Sequence, residues 1–528
     1  MNIKNLKTLC EGTSLIVHNA RFEHKWLLSR GIDAKITDDT YLLAYMVDER
    51  LPLDLQSLCL KFEVDVPFKK EHGTSVSLLT GDRLIERNTR DARNTYLLRD
   101  ILWSKLDADG RKVYSKVLLP ATRSLAKIEN NGMCYSPEVM TGVIEELKDK
   151  IRDLDIQSDP VIKEFNSSSD KPFNIDSWMH RLIVVYDILG YTPLDFPQAM
   201  SDSGNPSTGI RVLKKLLKQK HTDTLAKIID YSSYQGWKEN YEKLEKYCDK
   251  CGDTHVANVE GKHYVYSNLR LGDTTTGRVK SDHPNMQNNP SREGGWTRRG
   301  FISRHPNGIL VEADYDQIEL KILAGLSGET VLIDGFLRGE DLHEKTYRIA
   351  YDLPEGAELT KEQRDEGKTL NYAIPFGRGA SGIAFDTYRT EKEARKWLKR
   401  FWKLHPTLKN YLTKIPKEGI IKSPTGMKRN CETWTQAKNF RIQNTALVVL
   451  LIAINRMIDV LEGMGVTLAL CIHDSLLFDI EDRSKLTDII PIIRELMEFK
   501  PYELFSWMPI PFTVSFKAGE NWGNLKKI

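Results

Sequence analysis

The sequence has few of the features that mark secreted or membrane proteins. Its 528 residues include only 7 cysteines, and their scattered positions do not form a disulfide framework. The first seven residues lack the apolar core of a signal peptide. No apolar run reaches the ~18 residues of a membrane span. The longest run, 446–454, is followed by Asn455 and Arg456, which predicts a buried helix. We therefore expect a reducing, cytoplasmic location and no membrane partner.

The chain also lacks a large net charge and internal repeats. Its formal net charge is +3, so overall charge does not indicate a nucleic-acid partner. Two basic amphipathic stretches, 211–220 and 392–400, could each follow a phosphate backbone. For either stretch alone, a solvated helix face is the simpler interpretation. The length is sufficient for several domains.

One cysteine pair raises the question of a zinc site. Cys248 and Cys251 have the spacing of a zinc knuckle. His255 and His263 are too close to these cysteines, and too far from each other, for the usual finger spacings. A helix end that runs into a strand is the preferred interpretation.

The pattern of apolar residues divides the chain into regions. Short strands and helices alternate over the first 110 residues, which is typical of an α/β domain. Residues 113–250 are predicted to be mostly helical, and 254–326 to return to strands. Helices dominate again over 329–420. The remainder predicts a long helix (436–463), a β-hairpin (467–481), another helix and a closing strand.

Two aspartates lie at the ends of apolar strands that are far apart in the sequence. Asp314 follows the strand 309–313, and Asp474 lies at the turn between 467–471 and 476–480. Carboxylate oxygens are hard ligands that suit Mg²⁺ or Mn²⁺. Two such ions could activate an attacking hydroxyl and neutralise a leaving pyrophosphate. The pair therefore predicts a two-metal site.

A cationic helix face lies between the two aspartates in the sequence. Arg364, Lys368 and Tyr372 are spaced four residues apart, so they share one face of a helix. Such a face can place cations on phosphates and a ring on a base or sugar. Acid, cations and acid in this order indicate a nucleotidyl transferase. Pro375 predicts that the helix kinks or ends near Ala373.

Seven short motifs follow one another along the chain, at 276–290, 314–319, 339–343, 364–372, 439–446, 473–474 and 519–522. Together they resemble DNA polymerases of family A, the Klenow-like and phage replicative type, and the resemblance covers nearly the whole chain, from about residue 14 to 522. It implies an α+β multidomain fold: a right-hand polymerase with an antiparallel palm sheet and helical fingers and thumb, preceded by a partial α/β ribonuclease-H-like exonuclease domain. The implied domains are the exonuclease-like domain 1–112, the thumb 113–255, the first part of the palm 256–328, the fingers 329–430 and the second part of the palm 431–528.

The resemblance also implies roles for single residues. Asp314 and Asp474 would bind two Mg²⁺ ions, replaceable by Mn²⁺, together with the Tyr315 carbonyl, and Lys368 would protonate pyrophosphate. Glu319 would be the steric gate that selects deoxynucleotides. The nucleotide-binding set is Tyr315, Gln317, Glu319, His343, Arg364, Lys368 and Tyr372. The DNA-binding set is Arg278, Asn285, Gln287, Asn439, Gln443 and His473.

The family likeness further implies a monomeric DNA-dependent DNA polymerase. It would extend primer-template DNA with dNTPs in phage replication, in the host cytoplasm and alongside other replisome proteins. Tyr372 stands where the family has Phe or Tyr, and its hydroxyl predicts efficient use of dideoxynucleotides. Ser475 stands where the family usually has a third acid, Glu. We therefore expect Asp314 and Asp474 to suffice for metal binding.

The N-terminal region resembles only the later part of a proofreading exonuclease. Asn19 and Glu23 resemble its second motif, with Glu where Asp is usual. Asp91 resembles its third motif, with Arg87 where Tyr is usual. The first motif, Asp-x-Glu, has no counterpart before Ser14. We expect a remnant that scaffolds and does not cut. The alternatives are a separate polypeptide that supplies the missing strand, and a shortened chain.

Two other functions compete with a DNA polymerase. A single-subunit RNA polymerase or a reverse transcriptase could use the same palm, but Glu319 argues against ribonucleotide use. A non-enzymatic factor that only binds primer-template DNA is the third possibility. The intact set of Asp314, Asp474, Arg364 and Lys368 argues against that factor.

Overall fold

The structure is a computed structural model that describes residues 3–64, 81–250, 256–259, 261–272, 274, 276–289 and 295–528. Of the cysteine and histidine cluster with zinc-knuckle spacing, Cys248, Cys251 and His255 lie outside the residues whose side chains are described. The described residues form a mixed α+β chain, in agreement with the fold class expected from the sequence.

The N-terminal region is a small α/β unit. Strands β1 (Ser14–Val17) and β2 (Lys35–Asp39) pair in parallel, as expected when a helix connects two strands on one sheet. The described residues ahead of β1 form a helix. The helices of this unit are α1 (Ile3–Gly12), α2 (Ala20–Leu28), α3 (Thr40–Val47), α4 (Leu55–Lys61) and α5 (Gly81–Lys105).

A largely helical region follows, with short strands at its edges. Strands β3 (Met133–Tyr135), β5 (Lys262–Val265) and β4 (Val256–Val259) form one antiparallel sheet, and β6 (Asn268–Arg270) pairs with β7 (Lys280–Asp282). The helices are α6 (Ala108–Val113), α7 (Leu119–Asn131), α8 (Pro137–Asp153), α9 (Pro160–Ser168), α10 (Trp178–Leu182), α11 (Ile210–Gln219) and α12 (Asp223–Lys250).

The central sheet has five antiparallel strands and carries both aspartates singled out from the sequence. Its spatial order is β11-β12-β8-β13-β14. Each strand alternates its side chains between the two faces, and both faces are covered by buried apolar residues. The strands are β8 (Ile309–Tyr315), β11 (Val466–Ile472), β12 (Ser475–Ile480), β13 (Val514–Gly519) and β14 (Lys526–Lys527).

Eight α-helices lie between β8 and β11 in the sequence. They are α13 (Ile318–Ser327), α14 (Thr330–Leu337), α15 (Leu342–Tyr351), α16 (Lys361–Ala373), α17 (Ala380–Thr387), α18 (Glu391–Leu404), α19 (Pro406–Thr413) and α20 (Trp434–Val460), with the hairpin β9 (Gly419–Lys422) and β10 (Lys428–Cys431) before α20; helix α21 (Leu486–Leu504) follows β12.

Helix α16 begins and ends for local reasons. Thr360 and Gln363 form a capping box at its start, in which each side chain accepts from the other's backbone N–H and satisfies a donor that the helix leaves open. The helix ends at Ala373, as Pro375 predicted. This end leaves Tyr372 in the last turn, beside the site described below.

Helix α20 is the central buried helix of the fold. Among the residues that the structure describes, it is the one helix long and apolar enough to cross a membrane by length and composition alone. However, 78% of its apolar window is buried inside the protein. The expectation that 446–454 belongs to a buried helix is therefore confirmed.

Candidate active site

Asp314 and Asp474 lie at the same end of the central sheet, where β8 ends and β12 begins. Strand β8 continues one residue beyond Asp314, to Tyr315, so the strand is slightly longer than the sequence pattern predicted. His473 and Asp474 form the two-residue turn between β11 and β12. Ser475 stands directly opposite Asp314 in the sheet, and the Tyr315 backbone N–H donates to the Asp474 carbonyl oxygen at 3.3 Å. Asp314 at the end of β8 is thereby linked to the turn that carries Asp474.

The electrostatics of this pair suit a cation. Burial, followed by repulsion from Asp474, raises the pKa of Asp314 to about 7. Burial also raises the pKa of Asp474. A divalent cation would relieve both effects, and Mg²⁺ is commonly held by one or two carboxylates plus substrate phosphates. The described residues contain no group of three or more His, Cys, Asp or Glu that could hold a metal, so a cation here would depend on these two carboxylates together with groups of a bound substrate.

A cavity of about 800 Å³ opens next to these carboxylates. It brings together most of the site residues predicted from the sequence, including the metal-binding and nucleotide-binding sets. The predicted residues that line it are Arg278, Asp314, Tyr315, Gln317, Glu319, His343, Arg364, Lys368, Tyr372, His473 and Asp474.

The cationic face of α16 also lines this cavity. Arg364, Lys368 and Tyr372 all line the cavity, as their spacing predicted. The Arg364 Nε donates to Asp341 at 2.5 Å, and Asp341 also accepts from the backbone N–H of His343 at 2.9 Å. Burial lowers the pKa of His343 to about 4. His343 is therefore a neutral hydrogen-bonding group at pH 7, and Arg364 and Lys368 supply the charge.

Glu319 lies at the first turn of α13, where the chain leaves Gln317 in the left-handed conformation with φ 52°. Its carboxylate is ion-paired with Arg278, and burial raises its pKa despite that partner. Burial also raises the pKa of the nearby Tyr372. Glu319 and Tyr372 line both this cavity and the adjoining one, so they stand at the boundary between the two.

Comparison with known proteins agrees with this geometry. Residues 144–524, more than half of the chain, match the family model described as DNA polymerase family A. The chain belongs to DNA polymerase family A. It is similar to DNA polymerase I of Rhizobium leguminosarum, with 27% identity over 98% of this chain and 52% of that protein. It is also similar to DNA polymerase I of Pseudomonas aeruginosa, with 27% identity over 92% of this chain and 53% of that protein.

The chain spans about half the length of these curated relatives. A solved structure of the POL domain of Pol1 from M. smegmatis, in complex with DNA primer-template and dNTP, aligns with a TM-score of 0.78. The alignment covers 97% of this chain and 86% of that one at 23% identity. This likeness shows that the right-hand polymerase fold expected from the sequence is correct.

Four of the predicted DNA-binding residues of this family A chain lie outside the cavity. Gln287 is held inside the protein, since it donates to the Cys471 carbonyl at 3.1 Å and accepts from the Ser281 N–H at 3.1 Å. Its side chain ties β7 to β11 in this structure. Of the other three, Asn285 is exposed, and Asn439 and Gln443 are partly buried.

Three polar residues of the family A site were missed by the sequence analysis. The buried Lys321 donates to Thr513 at 2.6 Å, and the Thr513 hydroxyl donates to Asp316 at 2.9 Å. All three line the cavity, and burial lowers the pKa of Lys321 to about 8. Lys321 lies one turn after Gln317, so helical spacing could have found it. Thr513 is 197 residues from Asp316 and carries no local signal.

The exonuclease-like residues lie on two helices of the N-terminal unit, with Asn19 and Glu23 at the start of α2 and Asp91 in α5. Asn19 has a left-handed conformation, and the neighbouring Asp39 accepts from its backbone N–H. Burial raises the pKa of Glu23 to about 8, so this group is largely protonated at pH 7. Asp91 faces Arg87 at 3.8 Å. Neither Glu23 nor Asp91 belongs to a group of three potential metal ligands among the described residues.

Proposed function

We propose that this chain catalyses template-directed addition of deoxynucleotides to a primer 3′-hydroxyl by a two-metal mechanism. The observation that carries the proposal is that Asp314, at the end of β8, and Asp474, in the turn before the neighbouring strand β12, line one cavity with Arg364 and Lys368. Carboxylates and cations around one cavity suit a reaction in which a hydroxyl attacks a triphosphate.

Each side chain has a distinct part in this mechanism. Asp314 and Asp474 would hold two Mg²⁺ ions, or Mn²⁺ in their place, together with the Tyr315 carbonyl. Ions bound there would make the attacking hydroxyl more acidic and would neutralise charge on the leaving group. Arg364 and Lys368 bind the phosphates, since cations positioned before reaction stabilise developing negative charge. Lys368 then gives a proton to pyrophosphate.

Two residues at the cavity boundary select the sugar. Glu319 fills the space that a ribose 2′-hydroxyl needs, and its ion pair with Arg278 holds the carboxylate in place. Tyr372 offers its hydroxyl where a substrate 3′-hydroxyl is absent. These assignments favour deoxynucleotides over ribonucleotides and permit dideoxynucleotides.

The N-terminal region is proposed to be inert as an exonuclease. Support comes from Glu23, which stands where the second exonuclease motif has Asp, and from Arg87, which stands where the third has Tyr. A second polypeptide that adds an Asp-x-Glu strand stays the alternative, because it would bring new carboxylates to Glu23 and Asp91.

The proposed substrates are primer-template DNA and dNTPs, the ligands bound in the M. smegmatis complex. A monomeric state, contacts with replisome proteins and a cytoplasmic site of action stay predictions. A phage source also stays a prediction, since the relatives named above are bacterial.

Template-directed extension by the purified chain tests the proposal. A labelled primer on four templates that differ in one base is incubated with Mg²⁺ and one dNTP at a time. Addition of only the complementary nucleotide supports the proposal. A chain that binds the primer-template and adds nothing would be a binding factor, and addition without regard to the template would indicate a terminal transferase.

A further inference from the structure

The side chain of Tyr45, in the N-terminal unit, packs against a turn of the polymerase region. This turn, called here the Arg278 turn, comprises the described residues Gly272, Thr274 and 276–278. A Cβ atom on Gly272 would lie 3.3 to 3.6 Å from the Tyr45 ring, and one on Gly277 would lie 3.7 Å from the Tyr45 hydroxyl. Tyr45 is only 5% exposed. The ring therefore rests directly on the backbone of the turn.

Arg429, from β10, holds the same turn from a second side. Its guanidinium donates to the Thr274 carbonyl at 2.8 Å and to the Tyr45 hydroxyl at 3.5 Å. Glu49, just after α3, accepts from the Asn430 N–H at 2.9 Å and lies 3.8 Å from Arg429. The N-terminal unit thus contacts the turn both directly and through Arg429.

The turn passes this restraint to Arg278. The Thr274 hydroxyl donates to the Arg278 carbonyl at 2.8 Å, and the Gly277 N–H donates to the Thr274 carbonyl at 3.2 Å. Both glycines have positive φ, 98° at Gly272 and 81° at Gly277, a conformation that glycine adopts without strain. The backbone position of Arg278 is therefore fixed by groups that Tyr45 and Arg429 hold.

A buried carboxylate anchors the strand before the turn to the same unit. Glu129 pairs with Arg21 at 2.6 Å and with Lys25 at 3.2 Å, both from α2. Glu129 also accepts from the Leu269 N–H in β6, and Lys25 donates to Asn268 at 3.2 Å. The N-terminal unit therefore holds the segment leading to Arg278 at both ends.

We propose that the N-terminal exonuclease-like unit is a positioning element of the polymerase site, with Tyr45 as its main positioning residue. It sets the place of Arg278, and through the ion pair it sets the place of Glu319. This inference rests on the proposed function and explains why a unit without a metal site among its described residues is packed so closely on the active-site region.

A double-mutant cycle between Tyr45→Leu and Arg278→Ala tests the proposal. We expect Tyr45→Leu to lower the single-turnover rate of dNTP addition by about tenfold, since a misplacement of about 1 Å can cost up to about 100-fold. In the Arg278→Ala background the same change should cost less than about twofold, because residues that act through one another are not additive. Equal losses in both backgrounds would overturn the proposal.

Leu58→Ala is the matched control, since Leu58 is a fully buried residue of the same unit in α4. It should lower the melting temperature yet leave the rate of addition unchanged at a temperature where every variant is folded. A rate loss in Leu58→Ala equal to that in Tyr45→Leu would mean that the contact is merely structural, and would refute positioning.

Two further variants keep the test decisive if Tyr45→Leu does not fold. Tyr45→Phe retains the ring on Gly272 and should keep the wild-type rate. Glu49→Ala removes the carboxylate that pairs with Arg429. Like Tyr45→Leu, it should lower the rate of dNTP addition much less in the Arg278→Ala background than in the wild type. A wild-type chain that adds no nucleotide would instead count against the proposed function itself.

Discussion

The backbone N–H of Tyr315 donates to the carbonyl oxygen of Asp474 at 3.3 Å. This bond joins the strand that ends just after Asp314 to the turn that carries Asp474, so the two carboxylates move as one unit. Catalytic groups must be held close to their working geometry to be effective. The sheet supplies that rigidity, and helix α16 supplies the cations Arg364 and Lys368.

Replacement of Glu319 by Ala is expected to admit ribonucleotides. Forcing extra atoms into filled space costs about 1–3 kcal/mol, so selection against rNTPs should weaken by about 10- to 100-fold. The ratio of dATP to ATP incorporation measures this. Glu319→Gln, which keeps the volume, is the matched control and should retain most of the selection. If Gln and Ala were equally permissive, a steric gate would be the wrong explanation.

Replacement of Tyr372 by Phe should increase discrimination against dideoxynucleotides. The hydroxyl that stands in for a missing 3′-hydroxyl is lost, and an unsatisfied polar group costs about 1–3 kcal/mol. We expect incorporation of ddNTPs to fall by about tenfold or more relative to dNTPs. Competition between the two substrates in primer extension checks this result. An unchanged ratio in the variant would rule out the role of the hydroxyl.

Stability should depend on pH through Glu23. Its folded pKa, about 8, exceeds the ordinary value of 4.5 because the carboxyl is buried. The folded state therefore binds a proton more tightly than the unfolded state, and stability falls as pH rises from 4.5 to 8. We expect Glu23→Gln to melt at least about 2 °C higher than wild type at pH 8.5, with a smaller gain at pH 5.

The exposed Glu11 on α1 provides the control for this measurement. Glu11→Gln should follow the wild-type dependence of melting temperature on pH. A Glu23→Gln variant with the wild-type profile would show that Glu23 is ionised in the folded protein at neutral pH, which would contradict the raised pKa.

A primer with a mismatched 3′ end should not be shortened by the purified chain. Glu23 and Arg87 stand where the exonuclease motifs have Asp and Tyr, so we expect Mg²⁺ to give no excision in the absence of dNTPs. Gel analysis of the labelled primer checks this. Shortening that disappears in Asp91→Ala would show that the N-terminal unit is an active nuclease.

The sequence was sufficient where the signal is local. Pro375 predicted the end of α16 at Ala373, and spacing of four residues predicted that Arg364 and Lys368 share a face that lines the cavity. The turn at Asp474 followed from two apolar runs separated by polar residues.

Contacts between distant segments could not be predicted in this way. Gln287 bonds to Cys471, 184 residues away, and Tyr45 packs on Gly272. Periodicity shows which face of an element is buried, but it does not show which other segment covers that face. The resemblance names Gln287 as a DNA-binding residue, and this role stays a prediction; the hydrogen bonds that hold its side chain between β7 and β11 carried no local signal.

The most direct test of the account compares Asp314→Asn and Asp474→Asn with wild type in single-turnover primer extension at several Mg²⁺ concentrations. Asp334→Asn, which changes an exposed carboxylate outside the cavity, is the control for charge and folding. We expect the control to add nucleotide at the wild-type rate. In each site variant the rate should fall by about 1,000-fold, since stabilisation of charge by bound metal contributes several kcal/mol. Undiminished, Mg²⁺-dependent addition by either site variant would contradict a site built on these two aspartates.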